Sequence, residues 1–275
     1  MARGWELEGV MATTMVARMG WLAAVPMVCL SGCLGPLVEQ TITTPLPHVQ
    51  GSGLQVKARN GTIVVKRAEG NELTIVAMLR MASEERIKES ELRVDRSEGN
   101  VVSIRLRPPE DKWQSREGCS FEISLPDAVG VTLDSGNGSI SLSGMSGPAK
   151  LKTSNGRITV AGHDGPVEAE TSNGSVKVEG VSGRLKVRTS NGAISAEVAG
   201  SGPVELRSSN GAISLDVTRS FAGTMRVETS NGSIVTPKGV EVEKPSRGKR
   251  LVKFGGEGEE SAVRTSNGSV TVRVK

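Results

Sequence analysis

The sequence Thr171-Ser172-Asn173-Gly174-Ser175-Val176 recurs with small changes through the second half of the chain. Its Asn-Gly pair occurs at Asn137-Gly138, Asn155-Gly156, Asn173-Gly174, Asn191-Gly192, Asn210-Gly211, Asn231-Gly232 and Asn267-Gly268. Successive asparagines are 18, 18, 18, 19, 21 and 36 residues apart, and Asn60-Gly61 is a more distant relative. A motif that returns at such a regular interval indicates a solenoid, in which the chain winds in coils of nearly equal length.

One period, residues 167–183, contains two short strands and two turns. Val167 and Ala169 alternate with glutamates, as in a half-buried strand, and Val176 and Val178 resume the alternation after the Asn-Gly corner. Two strands and two turns leave no room for a helix. We therefore predict an all-β fold, a single-chain β-solenoid (β-helix) with about 18 residues per coil.

The Asn-Gly pairs are predicted to form a structural turn ladder. Although Asn-Gly between alternating strands usually marks a hairpin, the regular period favours identical corners stacked ~4.8 Å apart. At that spacing the asparagine amides of successive coils can bond to one another. Each motif glycine is expected to have a positive φ, which a Cβ would strain. The threonine or serine two residues before each asparagine is expected to face inward at a strand end.

The predicted interior is thin and aliphatic. Aromatic residues make up only 2% of the chain, and many of the 34 glycines belong to the turns, which suits a narrow solenoid better than a compact globular domain. The candidate interior positions are Leu151, Ile158, Val160, Val167, Val176, Val178, Leu185, Val187, Ile194, Val204, Leu206, Ile213, Leu215, Val227 and Ile234.

The first 32 residues are predicted to be a lipoprotein signal peptide. The apolar run 21–30 is too short for a bilayer-spanning helix, which needs roughly 20 residues, but it suits the core of a secretory signal. Leu30-Ser31-Gly32-Cys33 resembles the lipobox of bacterial lipoproteins. That resemblance implies that Cys33 receives diacylglycerol, that cleavage occurs before it, and that the new amino group is acylated. The alternative is a soluble secreted protein in which Cys33 is incidental.

Two further details bear on the predicted signal peptide and on the predicted localisation. Glu6 and Glu8 are unusual in a signal peptide, so translation could start at Met1, Met11 or Met15. By resemblance to the sorting rules of Gram-negative bacteria, leucine at position 34 favours the outer membrane, on its periplasmic or surface side. Several acyl chains would anchor the protein durably, whereas one chain binds only marginally.

The rest of the chain is predicted to have three parts. Residues 33–53 contain three prolines and form a tether. Residues 54–130 form a β-rich region that leads into and caps the solenoid, since an uncovered solenoid end exposes core and unpaired backbone. Residues 131–275 form the solenoid repeats, with a hairpin excursion at about 236–262 that accounts for the interval of 36 residues.

The charge pattern argues against nucleic-acid binding. The net charge is only +4, with both signs interspersed on outward strand positions, whereas a nucleic-acid surface needs a concentrated basic face with stacking aromatics. One local excess comprises Lys244, Arg247, Lys249, Arg250 and Lys253. It is either the solvated part of an inserted hairpin or a contact for anionic headgroups or cell-wall polymer.

The sequence predicts no catalytic residue, metal site or cofactor. His48 lies in the predicted tether and His163 at a corner, and nothing resembles a zinc set, a nucleophile elbow or a phosphate loop. Asp134, Asp164 and Asp216 occupy different places in their coils, so they are not expected to converge as paired glycosidase carboxylates do. With Cys29 in the signal and Cys33 lipidated, Cys119 has no disulfide partner.

Three features together are similar to the bacterial "putative adhesin" family classed as domain of unknown function 4097. They are the strand, charged segment and strand of residues 73–106, the strand at 121–126, and the Thr-Ser-Asn-Gly series from 135 to 270. The resemblance covers residues 54–275. It implies a β-solenoid at or near the cell envelope and brings no catalytic residues with it.

These observations predict a lipid-anchored cell-envelope protein whose solenoid is a non-catalytic binding or structural scaffold. Its expected partners are the membrane, through Cys33, and an envelope protein or a cell-wall or surface glycan. Two alternatives remain: an envelope-stress sensor or regulatory lipoprotein, and a β-helix enzyme that acts on glycans.

Overall fold

A computed structural model describes residues 14–16, 37–97 and 99–275. Almost all of its regular structure is β. In chain order the elements are β1 (Thr14–Val16), β2 (Val38–Pro47), β3 (Gly53–Ala58), β4 (Ile63–Arg67), β5 (Glu72–Met81), α1 (Glu84–Glu89), β6 (Glu91–Arg96), β7 (Val101–Arg107), a 3-10 turn (Pro109–Asp111), β8 (Gly118–Leu125), β9 (Val129–Ser135), β10 (Ile140–Ser143), β11 (Ser146–Thr153), β12 (Ile158–His163), β13 (Val167–Thr171), β14 (Val176–Val181), β15 (Leu185–Asn191), β16 (Ile194–Val198), β17 (Val204–Asn210), β18 (Ile213–Val217), β19 (Gly223–Asn231), β20 (Ile234–Val235), β21 (Glu241–Ser246), β22 (Lys249–Phe254), β23 (Ser261–Asn267) and β24 (Val270–Val274).

The strands form two long sheets that face each other across the core. The first sheet has the spatial order β1-β6-β7-β3-β9-β11-β13-β15-β17-β23-β19-β22-β21, and the second β2-β5-β8-β4-β10-β12-β14-β16-β18-β24-β20. Each coil gives one strand to each sheet, for example β13 to the first and β14 to the second. In the middle of the stack all neighbouring strands are parallel. The predicted all-β solenoid is confirmed.

The register explains why equivalent residues of each coil are alike. Ile140 pairs with Ile158, Ile158 with Val176, and Val176 with Ile194, so each aliphatic side chain lies on its counterpart in the next coil. Branched aliphatic side chains pack well on such a pleated surface. Every predicted interior residue is buried except Ile234, which is half-buried at the end of the stack.

Coil order departs from chain order at both ends of the stack. The coil β7/β8 lies outside β3/β4, and the coil β23/β24 is inserted between β17/β18 and β19/β20. The coils therefore do not all stack in the order in which they occur along the chain. Except for β7/β8, whose strands are joined by residues 108–117, the coils share the Asn-Gly corner and the aliphatic columns, so the coil β23/β24 can pair with neighbours that are distant in the chain. The parallel stack also begins at β3, before residue 131.

Antiparallel strands close both ends. At one end β5 pairs antiparallel with β8, β2 with β5, and β6 with β7. At the other end the hairpin β21–β22 pairs with β19. These strands cover edges that would otherwise expose unpaired backbone groups. The three phenylalanines also lie at the ends: Phe121 in β8, and Phe221 against Phe254 in an edge-to-face contact of 5.1 Å between ring centroids.

The segment predicted as a tether is partly a strand. Within residues 33–53, Val38–Pro47 form β2, which pairs with β5 over its whole length. Alternating Val38, Ile42 and Leu46 pack against the core. The prolines at 45 and 47 do not prevent pairing because β2 is an edge strand, where a missing N–H is tolerated.

Candidate functional site

The asparagines of the repeated corner form a continuous ladder of hydrogen bonds along the stack. Asn155 Nδ2 donates to Asn137 Oδ1 at 2.5 Å, and Asn173 Nδ2 to Asn155 Oδ1 at 2.8 Å. The same bond joins Asn191 to Asn173, Asn210 to Asn191, Asn267 to Asn210, and Asn231 to Asn267. The structure thus brings all seven predicted asparagines together. Asn267 comes before Asn231 in the ladder, the reverse of their order in the chain.

The ladder has a single direction and a fixed beginning. Asn137 Nδ2 donates to Asn60 Oδ1, and Asn60 Nδ2 donates to the carbonyl of Glu117 at 2.8 Å. Aligned amides polarise one another, which strengthens each bond in the row. The distant Asn60 motif is therefore part of the same ladder.

The threonine or serine of the motif satisfies a carbonyl of the neighbouring coil. Thr171 Oγ1 donates to the carbonyl of Gly156 at 3.1 Å, and Thr189 Oγ1 to that of Gly174 at 3.0 Å. Corresponding bonds are made by Ser135, Thr153, Ser208, Thr229 and Thr265. These side chains are buried, so each hydroxyl lies inside the corner, bonded to the glycine carbonyl stacked beside it.

The reason predicted for the motif glycines is wrong. None of the seven has a positive φ; the left-handed glycines of these coils include Gly144, Gly162 and Gly180, outside the Asn-Gly corner. The motif glycines instead permit close stacking. A Cβ on Gly192 would lie 2.0 Å from the carbonyl oxygen of Gly174, and a Cβ on Gly174 would lie 1.9 Å from that of Gly156. Coils at normal interstrand spacing have no room for a side chain here.

Lipidation of Cys33 concerns a part of the chain outside the described residues. Of the predicted signal peptide, only Thr14–Val16 are described, and they form β1, paired antiparallel with β6. In the described part of the chain, no helix is long and apolar enough to cross a bilayer.

Outward side chains of the sheets form ion pairs between neighbouring coils. Lys186 Nζ lies 2.7 Å from Glu168, and Arg188 Nη2 lies 3.0 Å from Glu205. The hydrogen bond from Lys186 lowers the pKa of Glu168. Exposed pairs of this kind contribute ~0–1 kcal/mol each, so their main effect is to keep the charges of this face balanced.

Both histidines serve structural contacts. His163 is buried at its corner, where Nε2 donates to the carbonyl of Gly147 at 2.7 Å, and burial lowers its pKa. His48, expected in a tether, packs at the end of β2 and bonds Asp127 Oδ1 at 2.8 Å through Nε2. Burial raises the pKa of Asp127, but hydrogen bonds from His48 and from the backbone N–H of Gly51 outweigh it and lower the pKa overall.

The three aspartates considered as candidate acids do not converge. Asp134 lies on the first sheet in β9, Asp216 on the second sheet in β18, and Asp164 at the corner after β12. Asp164 accepts a hydrogen bond from Ser182 Oγ at 2.6 Å, and Asp216 lies 3.3 Å from Lys275 Nζ. Among the described residues, no group of three His, Cys, Asp or Glu side chains could hold a metal ion. Cys119 is buried, which raises the pKa of its thiol.

Sequence reasoning missed a buried ion pair at the closed end of the stack. Glu117 is fully buried and accepts from Arg86 Nε at 2.6 Å and Nη2 at 2.9 Å, and from the backbone N–H groups of Gln114 and Ala82. Its burial raises its pKa, but these hydrogen bonds together lower it below the ordinary value. Helix α1 positions Arg86, and Ser83 caps that helix. Nothing in the repeat pattern marks this contact.

A groove crosses the first sheet near the starts of its strands. It encloses about 690 Å³ and is lined by Val101, Leu54, Val129, Pro148, Pro166 and Lys186, among others. It is open and crosses several coils, and the ion pair between Lys186 and Glu168 lies at one end.

The architecture is that of a parallel β-solenoid stabilised by an amide ladder and closed at both ends by antiparallel strands. The chain belongs to the Toastrack family, domain of unknown function 4097, whose sequence model matches residues 26–273. This agrees with the family resemblance noted in the sequence.

Two solved structures are similar to this chain at low sequence identity. A "putative cell adhesion protein" from Clostridium sporogenes is 11% identical with a TM-score of 0.36, and the match covers 86% of this chain and 100% of that chain. A "putative adhesin" from Bacteroides fragilis is also 11% identical with a TM-score of 0.36, covering 86% of this chain and 97% of that chain. No curated protein matches the chain.

Proposed function

We propose that this protein is a lipid-anchored component of the bacterial cell envelope whose solenoid is a non-catalytic binding or structural scaffold. The observation that carries the proposal is the unbroken amide ladder. It fixes the coils in one register from Glu117 to Asn231, and antiparallel strands close both ends. Such a stack presents its outward side chains in fixed columns, one row every ~4.8 Å.

The positions of the three candidate acids, and the contacts of two of them, favour a scaffold over a glycan-active enzyme. Paired carboxylates in glycosidases lie close enough to act on one bond, whereas Asp134 and Asp216 are on opposite sheets. Asp216 is held by Lys275, and Asp164 by Ser182. A polysaccharide screen tests this point: turnover that disappears in Asp164→Asn or Asp216→Asn would support the enzyme instead.

Chain length limits how far a lipid on Cys33 could lie from the fold. Val38 is five positions after Cys33, and a fully extended chain spans at most ~3.6 Å per residue, so β2 would begin within about 18 Å of a lipidated Cys33. Because β2 is the outermost strand at its end, that end of the stack faces the membrane. The second sheet has eleven strands from β2 to β20, so the opposite end lies about 48 Å further along the stack.

Cys33→Ser tests the anchor. The variant should lose incorporation of a fatty-acid analogue and move from the membrane to the soluble fraction, because acylation requires the thiol. Cys29→Ser is the matched control, since it removes a thiol four residues earlier and should leave anchoring intact. Membrane retention of Cys33→Ser without label would exclude lipidation, and protease shaving of intact cells would show which side of the outer membrane the solenoid occupies.

The envelope sensor is the second candidate. The same rigid surface could pass a signal to another envelope protein, and recovery of a signalling protein with the full chain from envelope extract would favour this role over that of a scaffold.

A further inference from the structure

The hairpin at the end away from β2 carries four basic residues with no acidic residue among them. We call Lys244, Arg247, Lys249 and Arg250 the basic tip. No aspartate or glutamate occurs between positions 244 and 250, so this short segment has a charge of +4, equal to the net charge of the whole chain. Three of its side chains are exposed and Arg250 is half-buried.

The basic tip differs from the other charged surfaces in its lack of counterions. On the sheets, cations such as Lys186 and Arg188 pair with glutamates of neighbouring coils. At the base of the hairpin, Lys253 pairs with both Glu241 and Glu243, at 3.0 and 2.6 Å. In the part of the chain that the structure describes, none of the four basic-tip side chains forms an ion pair. Glu228, opposite Lys249 in the sheet, is engaged by Arg264 at 3.3 Å.

The hairpin is held in a defined position. The carbonyl of Gly248, in the turn, accepts a hydrogen bond from the N–H of Thr229 at 2.9 Å, and Lys249 to Phe254 pair along β19. Thr229 belongs to the same corner as Asn231, the last member of the amide ladder. The basic tip is therefore attached to the rigid stack.

We propose that the basic tip binds an anionic polysaccharide that bears carboxylate or phosphate groups. Exposed ammonium and guanidinium groups without counterions attract polyanions, and the attraction is screened by salt. The choice of a polymer over a lipid surface rests on the proposed function. If Cys33 anchors the β2 end, the basic tip lies at the far end of the stack, away from the anchoring membrane and towards the polymers of the envelope.

The test measures binding of the purified full chain to polygalacturonate, a carboxylate polymer, with neutral dextran as the uncharged comparison. Lys244→Gln/Arg247→Gln should weaken polygalacturonate binding about 30-fold, taking ~1 kcal/mol for each cation lost near an anionic surface. Raising the salt concentration should weaken wild-type binding and reduce the difference between the proteins.

The matched control is Lys186→Gln/Arg188→Gln, which removes the same charge from the paired surface of the first sheet. It should leave the affinity nearly unchanged. An equal loss in both double variants would overturn the proposal, since net charge alone would then explain binding. Equal binding to dextran, or binding to phosphatidylglycerol vesicles without binding to polygalacturonate, would also overturn it.

The outcome can be separated from that of the anchor experiment. Cys33→Ser should keep the affinity for polygalacturonate if only the anchor is lost. A chain that is not lipidated but still binds through the basic tip would refute the anchor and retain the polymer site.

Discussion

Replacing Gly192 with alanine should destabilise the solenoid far more than its single added methyl group suggests. The new Cβ would lie 2.0 Å from the carbonyl oxygen of Gly174, where atoms closer than 3.0 Å are essentially never tolerated. Both atoms belong to backbone or lie next to it, so no side-chain rotation can relieve the contact. The coils must separate by about 1 Å at this corner, roughly a fifth of the ~4.8 Å spacing.

The separation weakens hydrogen bonds that depend on that spacing. Asn191 Nδ2 to Asn173 Oδ1 is 2.8 Å, Thr189 Oγ1 to the carbonyl of Gly174 is 3.0 Å, and the N–H of Asn191 to the carbonyl of Ser172 is 2.9 Å. At ~1 kcal/mol for each bond and 1–3 kcal/mol for overpacking, the free energy of unfolding should fall by about 4–6 kcal/mol. For a domain of this size the melting temperature should fall by roughly 10 °C.

Thermal and urea unfolding followed by circular dichroism measure the effect, with Gly136→Ala as the matched control. Gly136 precedes the corner at Asn137, three coils away, has an ordinary φ, and has nothing within 4 Å of its ideal Cβ. Its replacement should be neutral or slightly stabilising, because alanine restricts the unfolded chain. Equal melting temperatures for the two variants would refute the argument that the motif glycines are required by close stacking.

Two further substitutions test other contacts. Thr189→Val keeps the shape of a buried side chain but removes the hydroxyl bonded to the carbonyl of Gly174. Urea unfolding should therefore show a decrease of ~1–3 kcal/mol in the free energy of unfolding. The control Thr159→Val, at an outward position, should have little effect. Glu117→Ala leaves Arg86 without its buried partner and should lower stability by about 3 kcal/mol at neutral pH. Because folding lowers the pKa of Glu117, its contribution is present above the unfolded-state pKa and is lost as the pH falls through the folded-state pKa. The difference between wild type and Glu117→Ala should therefore shrink in acid, and a constant difference would show that this carboxylate does not act through its charge.

The repeating part of the fold could be predicted because the residues of each coil specify its own strands and turn. Alternation around Val176 and the Asn-Gly corner specify two strands and a turn, and the regular interval specifies stacking. The interior positions follow from the same alternation. The reason for glycine at 192 could not be read from the chain, since positive φ and close stacking select the same residue and only the neighbouring coil distinguishes them.

The exchanged coil order and the closed ends could not be predicted for a related reason: the sequence does not show which coils become neighbours. The corner at Asn267 is equally suited to lie on Asn210 or on Asn231, and the structure places it between them. An interval of 36 residues is compatible with either order. The strand Val38–Pro47 was predicted as a tether because of its prolines, which an edge strand tolerates. The contact between Arg86 and Glu117 joins residues 31 apart that share no repeat position.

The position of β23 and β24 also constrains the order of assembly. During synthesis the N-terminus emerges first. The strands β19 and β20 are therefore made before β23 and β24, the strands with which they pair. Until residues 261–274 follow, the strands at 223–235 lack the neighbours that hold them to the rest of the molecule. The final stage of folding must therefore wait for the late segment to enter a gap, so a truncation at residue 260 should leave the coil β19/β20 and the hairpin β21–β22 without support instead of removing one coil from the end.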